Sequence, residues 1–264
     1  MGRSYFLFSL MFTSFVSTIV LAAPSISNGE PISSSEYSGV IPLIVNGKFH
    51  CSASLISPSL ILTAAHCLTG VDPSKDRLNI YQFALRKFTV RIHPSYVPYQ
   101  NDLAIIEVPL QEDRDKLKGI KPLKLAKSPA EIGDSVTLIG YGEGHKYYKG
   151  EALVHDNAGV KNKGFNVVAG FDNGRIVLKG LSYDVLKIYG SKEIVSVALP
   201  GDSGSPLLNS NDEIIGVDST GSIEYISESE QVYNHQNASS FYADLSNKTN
   251  RTWLGQVLNE YPKH

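Results

Sequence analysis

Short apolar runs separated by turn residues recur along most of the chain. Residues 40–45 and 48–53 flank Asn46-Gly47, a dipeptide suited to the positive φ angles of a tight hairpin turn. Further runs lie at 60–62, 103–106, 135–139, 165–169, 175–178 and 194–197. Residues 207–208 and 214–217 flank a polar turn at 209–212. Strands this short and this regularly spaced predict a sandwich or a barrel. One segment has a different period. Trp253, Leu254, Val257, Leu258 and Tyr261 share a helical face and Pro262 closes it, so a single amphipathic helix is expected near the C-terminus, packed on the β-body. The mixed-charge stretch 111–118 predicts an exposed connection, and Lys146-Tyr147-Tyr148-Lys149 a solvated loop.

The N-terminus breaks the pattern. Arg3 precedes an uncharged, apolar-rich run at 5–21, then Ala22 and Ala23. This is the layout of a secretory signal peptide, residues 1–22. Ser9, Thr13, Ser14, Ser17 and Thr18 interrupt the run and disfavour a spanning helix. No second long apolar run follows, so a secreted, extracellular protein is expected, free of the membrane after signal cleavage. The chain has 264 residues, which fits one large all-β unit or two packed lobes. Hydrophobic residues make up 42% and charged residues 19%, a globular balance. A net charge of −2 implies no basic face, which argues against a nucleic-acid partner. The two cysteines, Cys51 and Cys67, should pair in an oxidising compartment. Sequons begin at Asn237, Asn247 and Asn250.

Three short segments carry candidate chemistry: Leu62-Thr63-Ala64-Ala65-His66-Cys67, Asn101-Asp102-Leu103-Ala104-Ile105-Ile106, and Gly201-Asp202-Ser203-Gly204-Ser205-Pro206. A serine hydroxyl is a weak nucleophile at neutral pH and needs a base to take its proton as it attacks. Histidine titrates close to the working pH and suits that task. A buried carboxylate then fixes the imidazole tautomer and stabilises the imidazolium. Glycines beside the serine allow a sharp turn that presents backbone N–H groups to a developing oxyanion. These requirements make Ser203 the candidate nucleophile, His66 the candidate general base, Asp102 the candidate orienting acid, and the amides of Gly201 and Ser203 the candidates for the oxyanion hole.

At these residues the chain resembles the chymotrypsin/trypsin family of serine proteases. The likeness extends to Ser52-Ala53-Ser54-Leu55-Ile56-Ser57-Pro58 before the histidine and to Gly221 after the serine, and it is poor over 142–193. It implies an all-β fold of two six-stranded antiparallel barrels with the active site between them, plus the C-terminal helix. The first barrel would span 26–121 and hold His66 and Asp102; the second would span 122–264 and hold Ser203. Cys51–Cys67 would match the disulfide that pins the histidine loop. Ser205 stands where the family usually has Gly, and no cysteine pair braces the pocket, as in a one-disulfide, fungal-type member rather than most animal ones.

The resemblance also implies a maturation step. Ile26-Ser27-Asn28-Gly29 resembles the family's mature N-terminus, whose amine pairs with the acid beside the serine, here Asp202; residues 23–25 would be a short pro-segment. Six residues before the nucleophile, Val197 takes the place of the specificity-pocket floor. Ser219 and Gly221 would form one wall and Ser240 the far side. An uncharged floor favours an apolar residue before the scissile bond. Asp218 argues the other way, since an acid entering the pocket from the side would pair with Lys or Arg. The expected partners are protein or peptide substrates, with proteinaceous inhibitors as a second class, acting on a monomer. His50, His93, His145, His155, His235 and His264 show no ligand spacing, so neither a metal nor another cofactor is expected. The competing reading is a catalytically inactive homologue that uses the same cleft as a binding module. An esterase of the Gly-x-Ser-x-Gly type is excluded by both motif and residue order.

Overall fold

The computed structural model describes residues 26, 29–142, 146–149, 152–155, 160–180, 195–227 and 232–261. The segments expected to be a signal peptide, 1–22, and a pro-segment, 23–25, lie outside them. After a two-residue strand β1 (Glu30–Pro31) come β2 (Val40–Val45), β3 (Lys48–Ser57), β4 (Leu60–Thr63), β5 (Leu78–Ile80), β6 (Phe83–Ala84), β7 (Thr89–Ile92) and β8 (Ala104–Glu107). Strands β2 to β8 form one antiparallel sheet in the order β6-β5-β2-β3-β4-β8-β7. The β2–β3 turn is made as expected, with Asn46 and Gly47 at φ 52° and 79°. Every residue of β4 and β8 is buried, because both faces of these strands are covered. The mixed-charge stretch is a correction to the sequence reading. It forms helix α1 (Gln111–Lys116), and its Asp113 is fully buried. Asp113 accepts hydrogen bonds from Arg86 N (2.8 Å), Lys87 N (3.1 Å) and Lys116 Nζ (2.9 Å), which replace the water it loses.

The chain continues through β9 (Lys124–Leu125), β10 (Ser135–Gly140), β11 (Lys146–Lys149), β12 (Ala152–His155), β13 (Asn162–Val167), β14 (Gly170–Asp172), β15 (Arg175–Lys179), β16 (Pro206–Leu208), β17 (Glu213–Ser227) and β18 (Val232–Asp244). The second sheet runs β1-β13-β10-β16-β17-β18-β15-β14, with β9 beside β17. The two-bodied all-β architecture is the expected one. Short strands β1, β6, β9 and β14 extend the sheets beyond six strands each. Strand β1 crosses to pair with β13, so the chain begins on the second sheet. Lys161 fastens it there. Its buried Nζ donates to the carbonyls of Ser34 (3.1 Å), Glu36 (2.9 Å) and Tyr37 (3.0 Å), and burial lowers its pKa to about 8.

Two further expectations are corrected. Residues 146–149 are a strand paired with β12 rather than a loop, in keeping with the β-propensity of Tyr147 and Tyr148. Residues 195–197 are buried or nearly so yet form no strand; Ile194 lies outside the described residues. Ser196 makes a single backbone bridge to Phe165, and burial alone gave the segment its apolar look.

The C-terminal helix, α2 (Lys248–Glu260), forms as predicted. Asn247 caps it by accepting from Thr249 N at 3.0 Å. Its buried face, Trp253, Leu254 and Val257, joins the larger core cluster, which holds the apolar residues of the first sheet and also Ile139, Leu208, Ile214 and Val217 of the second. The Trp253 ring meets His93 edge-on at 4.9 Å, and Arg91 pairs with Glu260. His93, in the loop just after β7, is thereby buried. Asn250 is buried too, with its amide donated to Asp244 O, which leaves no room for a glycan at that sequon. Among the described residues no helix is long and apolar enough to cross a membrane.

Candidate active site

His66 lies in a helical turn just after β4, and Asp102 immediately before β8. Because β4 and β8 are adjacent, with Thr63 opposite Ala104, the two side chains meet at one end of the first sheet. Asp102 is buried and His66 half-buried. His66 Nδ1 lies 2.7 Å from Asp102 Oδ2, and the His66 amide donates to Oδ1 at 2.9 Å. A carboxylate only accepts hydrogen bonds, so Nδ1 carries the proton and Nε2 keeps its lone pair. Ser219 Oγ supplies a further bond, donating to Asp102 Oδ2 at 2.6 Å. The sequence reading saw Ser219 only as pocket wall. The Cys51–Cys67 disulfide, with Cα atoms 6.1 Å apart, ties the histidine turn to β3. Cys51, His66 and Cys67 come close together, but sulfurs joined to each other are not thiolate ligands.

Ser203 comes from the second sheet, in the turn before β16. Gly201 and Gly204 have φ of 91° and 81°, which side-chain-bearing residues rarely adopt. A Cβ on Gly204 would collide with Thr63 Oγ1 and the Ser52 carbonyl, so the turn is pressed directly onto the first sheet. Ser52 is the residue that holds it. Its amide donates to Ser203 O (2.8 Å) and its hydroxyl to Gly201 O (3.3 Å), while the same hydroxyl accepts from Tyr141 N (3.0 Å). Around the turn, the amides of Leu199, Asp202, Gly204 and Ser205 are all engaged. Those of Gly201 and Ser203 have no partner among the described residues. No hydrogen bond joins Ser203 Oγ to His66; such bonds are commonly long without substrate and tighten when it binds.

Asp202 is fully buried. Its oxygens accept from Gly142 N (2.8 Å) and Leu199 N (2.9 Å). Burial pushes its pKa up to about 7 against the opposing pull of those two amides. Ile26 is buried in the core of the second sheet beside Gly164, with its carbonyl accepting from Gly29 N.

His66, Asp102 and Ser203 line one cleft of about 390 Å³. Asp218, Ser219 and Gly221 line it from the second sheet, and Tyr96 and Tyr99 from the first. Val197 and Ser240 are buried and are not part of its lining; Ser240 Oγ accepts from Ala198 N at 2.8 Å. The Asp218 carboxyl is 3% exposed, and its Oδ1 has no hydrogen-bond partner. Burial raises its pKa well above the usual range, and the charges of Asp202 and Asp102 raise it further.

Two antiparallel β-bodies with a histidine–carboxylate pair on one and a serine turn on the other, sharing a cleft, define the chymotrypsin-like architecture. A family model described as Trypsin matches residues 26–243, and the chain belongs to that family. It is 31% identical over 110 residues to brachyurin of Leptuca pugilator, covering 38% of this chain and 44% of the relative. It is 26% identical over 235 residues to mannan-binding lectin serine protease 1 of Mus musculus, covering 74% of this chain and 31% of that one. The matched segments thus span less than half the length of these relatives. Among solved structures, a mutant of human heparin binding protein (CAP37) aligns with a TM-score of 0.61 at 17% identity, covering 89% of this chain and 98% of the other.

Proposed function

We propose that this protein is a secreted serine endopeptidase that cleaves peptide bonds through an acyl-enzyme. The observation that carries the reading is the bonded His66–Asp102 pair in the same cleft as Ser203. In this mechanism His66 Nε2 takes the Ser203 proton as Oγ attacks the scissile carbonyl. Asp102, held by Ser219 and by the His66 amide, keeps the imidazole oriented and steadies the imidazolium. The unpaired amides of Gly201 and Ser203 receive the oxyanion. His66 then protonates the departing amine, and water repeats the sequence on the acyl-enzyme. The two lobes, 26–121 and 122–264, each supply part of this chemistry. Export by cleavage after Ala22, glycosylation at Asn237 or Asn247, and protein inhibitors of the cleft belong to the same reading. So does maturation at Ile26, whose freed amine would pair with Asp202, the buried acid now held only by backbone amides. A buried ammonium–carboxylate pair is tolerable only with both partners present.

The test is a fluorophosphonate probe together with peptide hydrolysis by secreted protein. Wild type should be labelled at Ser203 and should hydrolyse peptides. Ser203→Ala and His66→Ala should each lose roughly 10⁴-fold or more in kcat, and the double variant little beyond either single one, because the residues act as a unit. Folded wild type that is neither labelled nor active would point instead to a non-catalytic binding module.

A further inference from the structure

The proposed mechanism leaves one wall of the cleft without a task. Asp218 in β17 stands directly opposite Tyr242 in β18, so the two side chains leave the sheet on the same face. Both are buried, and among the described residues neither Asp218 Oδ1 nor the Tyr242 hydroxyl has a hydrogen-bond partner. Buried polar atoms left unbonded are costly, and they are rare outside functional sites. Asp218 also lines the cleft that holds Ser203. The backbone bond that would turn this acid away from substrate is absent among the described residues. Its surroundings are of one sign: Asp102 is bonded to His66 and Ser219, Asp202 only to amides, and among the described residues no lysine or arginine pairs with any of the three acids. The adjoining walls are small and apolar. Ala198 and Leu199 line the cleft, and Gly221 leaves its strand without a side chain. Val197, on which an apolar preference rested, does not line it.

We propose that Asp218 is the specificity-determining acid of this cleft and selects a lysine or arginine side chain before the scissile bond. The assignment rests on the peptidase reading of the same site. The alkyl stem of such a side chain packs along Ala198 and Gly221, and its N–H donors reach Asp218, behind which the buried Tyr242 hydroxyl lies outside the cleft lining. A planar guanidinium matches a carboxylate especially well. The titratable groups facing Asp218 are Asp102, Asp202 and Tyr242, none of them cationic. Burial and the charges of Asp202 and Asp102 favour the protonated form of the empty acid, whereas a docked cation favours the ionised one, so binding of a cation is expected to release protons.

Two measurements on the mature, secreted protein test this. The first compares kcat/KM for peptide amides bearing Arg, Lys, citrulline or Phe at the cleaved position, in wild type and Asp218→Asn. Wild type should favour Arg over neutral citrulline by roughly 10²–10³-fold, and the variant by about tenfold or less. The second is calorimetric titration of Ser203→Ala protein, in which Asp218 is intact, with benzamidine and its neutral counterpart benzamide. Benzamidine should bind with proton release, read from buffers of different ionisation enthalpy, and benzamide should not bind measurably. Wild type that prefers Phe, an Arg-to-citrulline ratio unchanged in Asp218→Asn, or equal binding of the two amides would overturn the assignment. Fluorophosphonate labelling separates the two readings. A labelled enzyme indifferent to charge removes the specificity assignment alone, whereas benzamidine binding with proton release by a protein that cannot be labelled leaves the cationic pocket and removes the peptidase.

Discussion

At the scale of single residues, the site is built from a few carboxylates held under very different conditions. Asp102 accepts bonds from an imidazole, an amide and a hydroxyl. Asp202 accepts only from two amides and pays for its burial with a pKa near 7. That value makes a measurable prediction for the form in which Ile26 is still in peptide linkage. An unfolded aspartate loses its proton near pH 4, whereas the folded one keeps it to about pH 7, so in that window the native state holds the extra proton. Stability contributed by Asp202 therefore falls as pH rises from about 4 to about 7, by a total on the order of 4 kcal/mol. Urea unfolding of Ser203→Ala protein, with and without Asp202→Asn, should show the variant gaining on its parent across that window. A gap between the two that stays constant with pH would rule this out. The residues visible in the sequence, His66, Asp102 and Ser203, sit in short local motifs whose chemistry demands those side-chain types. Ser219 was visible only as a pocket wall, and Ser52 only as part of the likeness before the histidine, not as partners of Asp102 and the serine turn. Ser219 reaches Asp102 from 117 positions away, and Ser52 reaches the serine turn from the other sheet, so both depend on strand register that no local pattern encodes.

At the scale of elements, hydrophobic period identified the strands around the site and the helix at its back. It failed where burial and regular structure part company. Residues 195–197 look like a strand because they are buried and mostly apolar, but they form none; Ser196 bonds Phe165 through its amide on the way to the serine turn. In α1 a charged sequence hides a buried acid, because the donors that satisfy Asp113 lie partly on another segment, at the backbone amides of Arg86 and Lys87. Helix α2 looked like an appendage of the second lobe, yet its apolar face joins the core cluster shared by both sheets and meets His93 after β7. Removing its anchor should therefore weaken the whole fold. Trp253→Ala should cost about 3–5 kcal/mol, seen as a lower denaturant midpoint with an unchanged slope. A loss below 1 kcal/mol would mean that α2 only rests on the surface. The midpoint is best compared at pH 7 or above, because burial lowers the pKa of His93, the neighbour of Trp253, and protonation at lower pH would add its own destabilisation.

At the scale of the molecule, the proposed catalytic groups are divided between two bodies, and one place where these meet is the serine turn lying on Ser52 and Thr63. Sequence could supply the parts and their order; it could not supply the closeness of that docking, which excludes even a Cβ at Gly204. The first residues of the fold add a third component. If maturation at Ile26 is what arms the enzyme, N-terminal sequencing of active secreted protein should begin Ile-Ser-Asn-Gly, and Asp202→Asn should remove activity while sparing secretion. Full activity with Ala23 at the N-terminus would dismiss the scheme.

The strap made by Lys161 gives that scheme a particular economy. From Glu30 onward the chain is paired to β13 or gripped through the carbonyls of Ser34, Glu36 and Tyr37, and the Ile26 side chain is already seated in the second core. A cut before Ile26 would thus create not a loose end but an intramolecular ligand on a leash of a few residues. Its effective concentration at the Asp202 site is then on the order of millimolar or higher, set by tether length rather than by how much protein is present. Free amines in the surrounding medium compete poorly against such a tethered one, and the switch works equally well in a dilute secretion and in a crowded one.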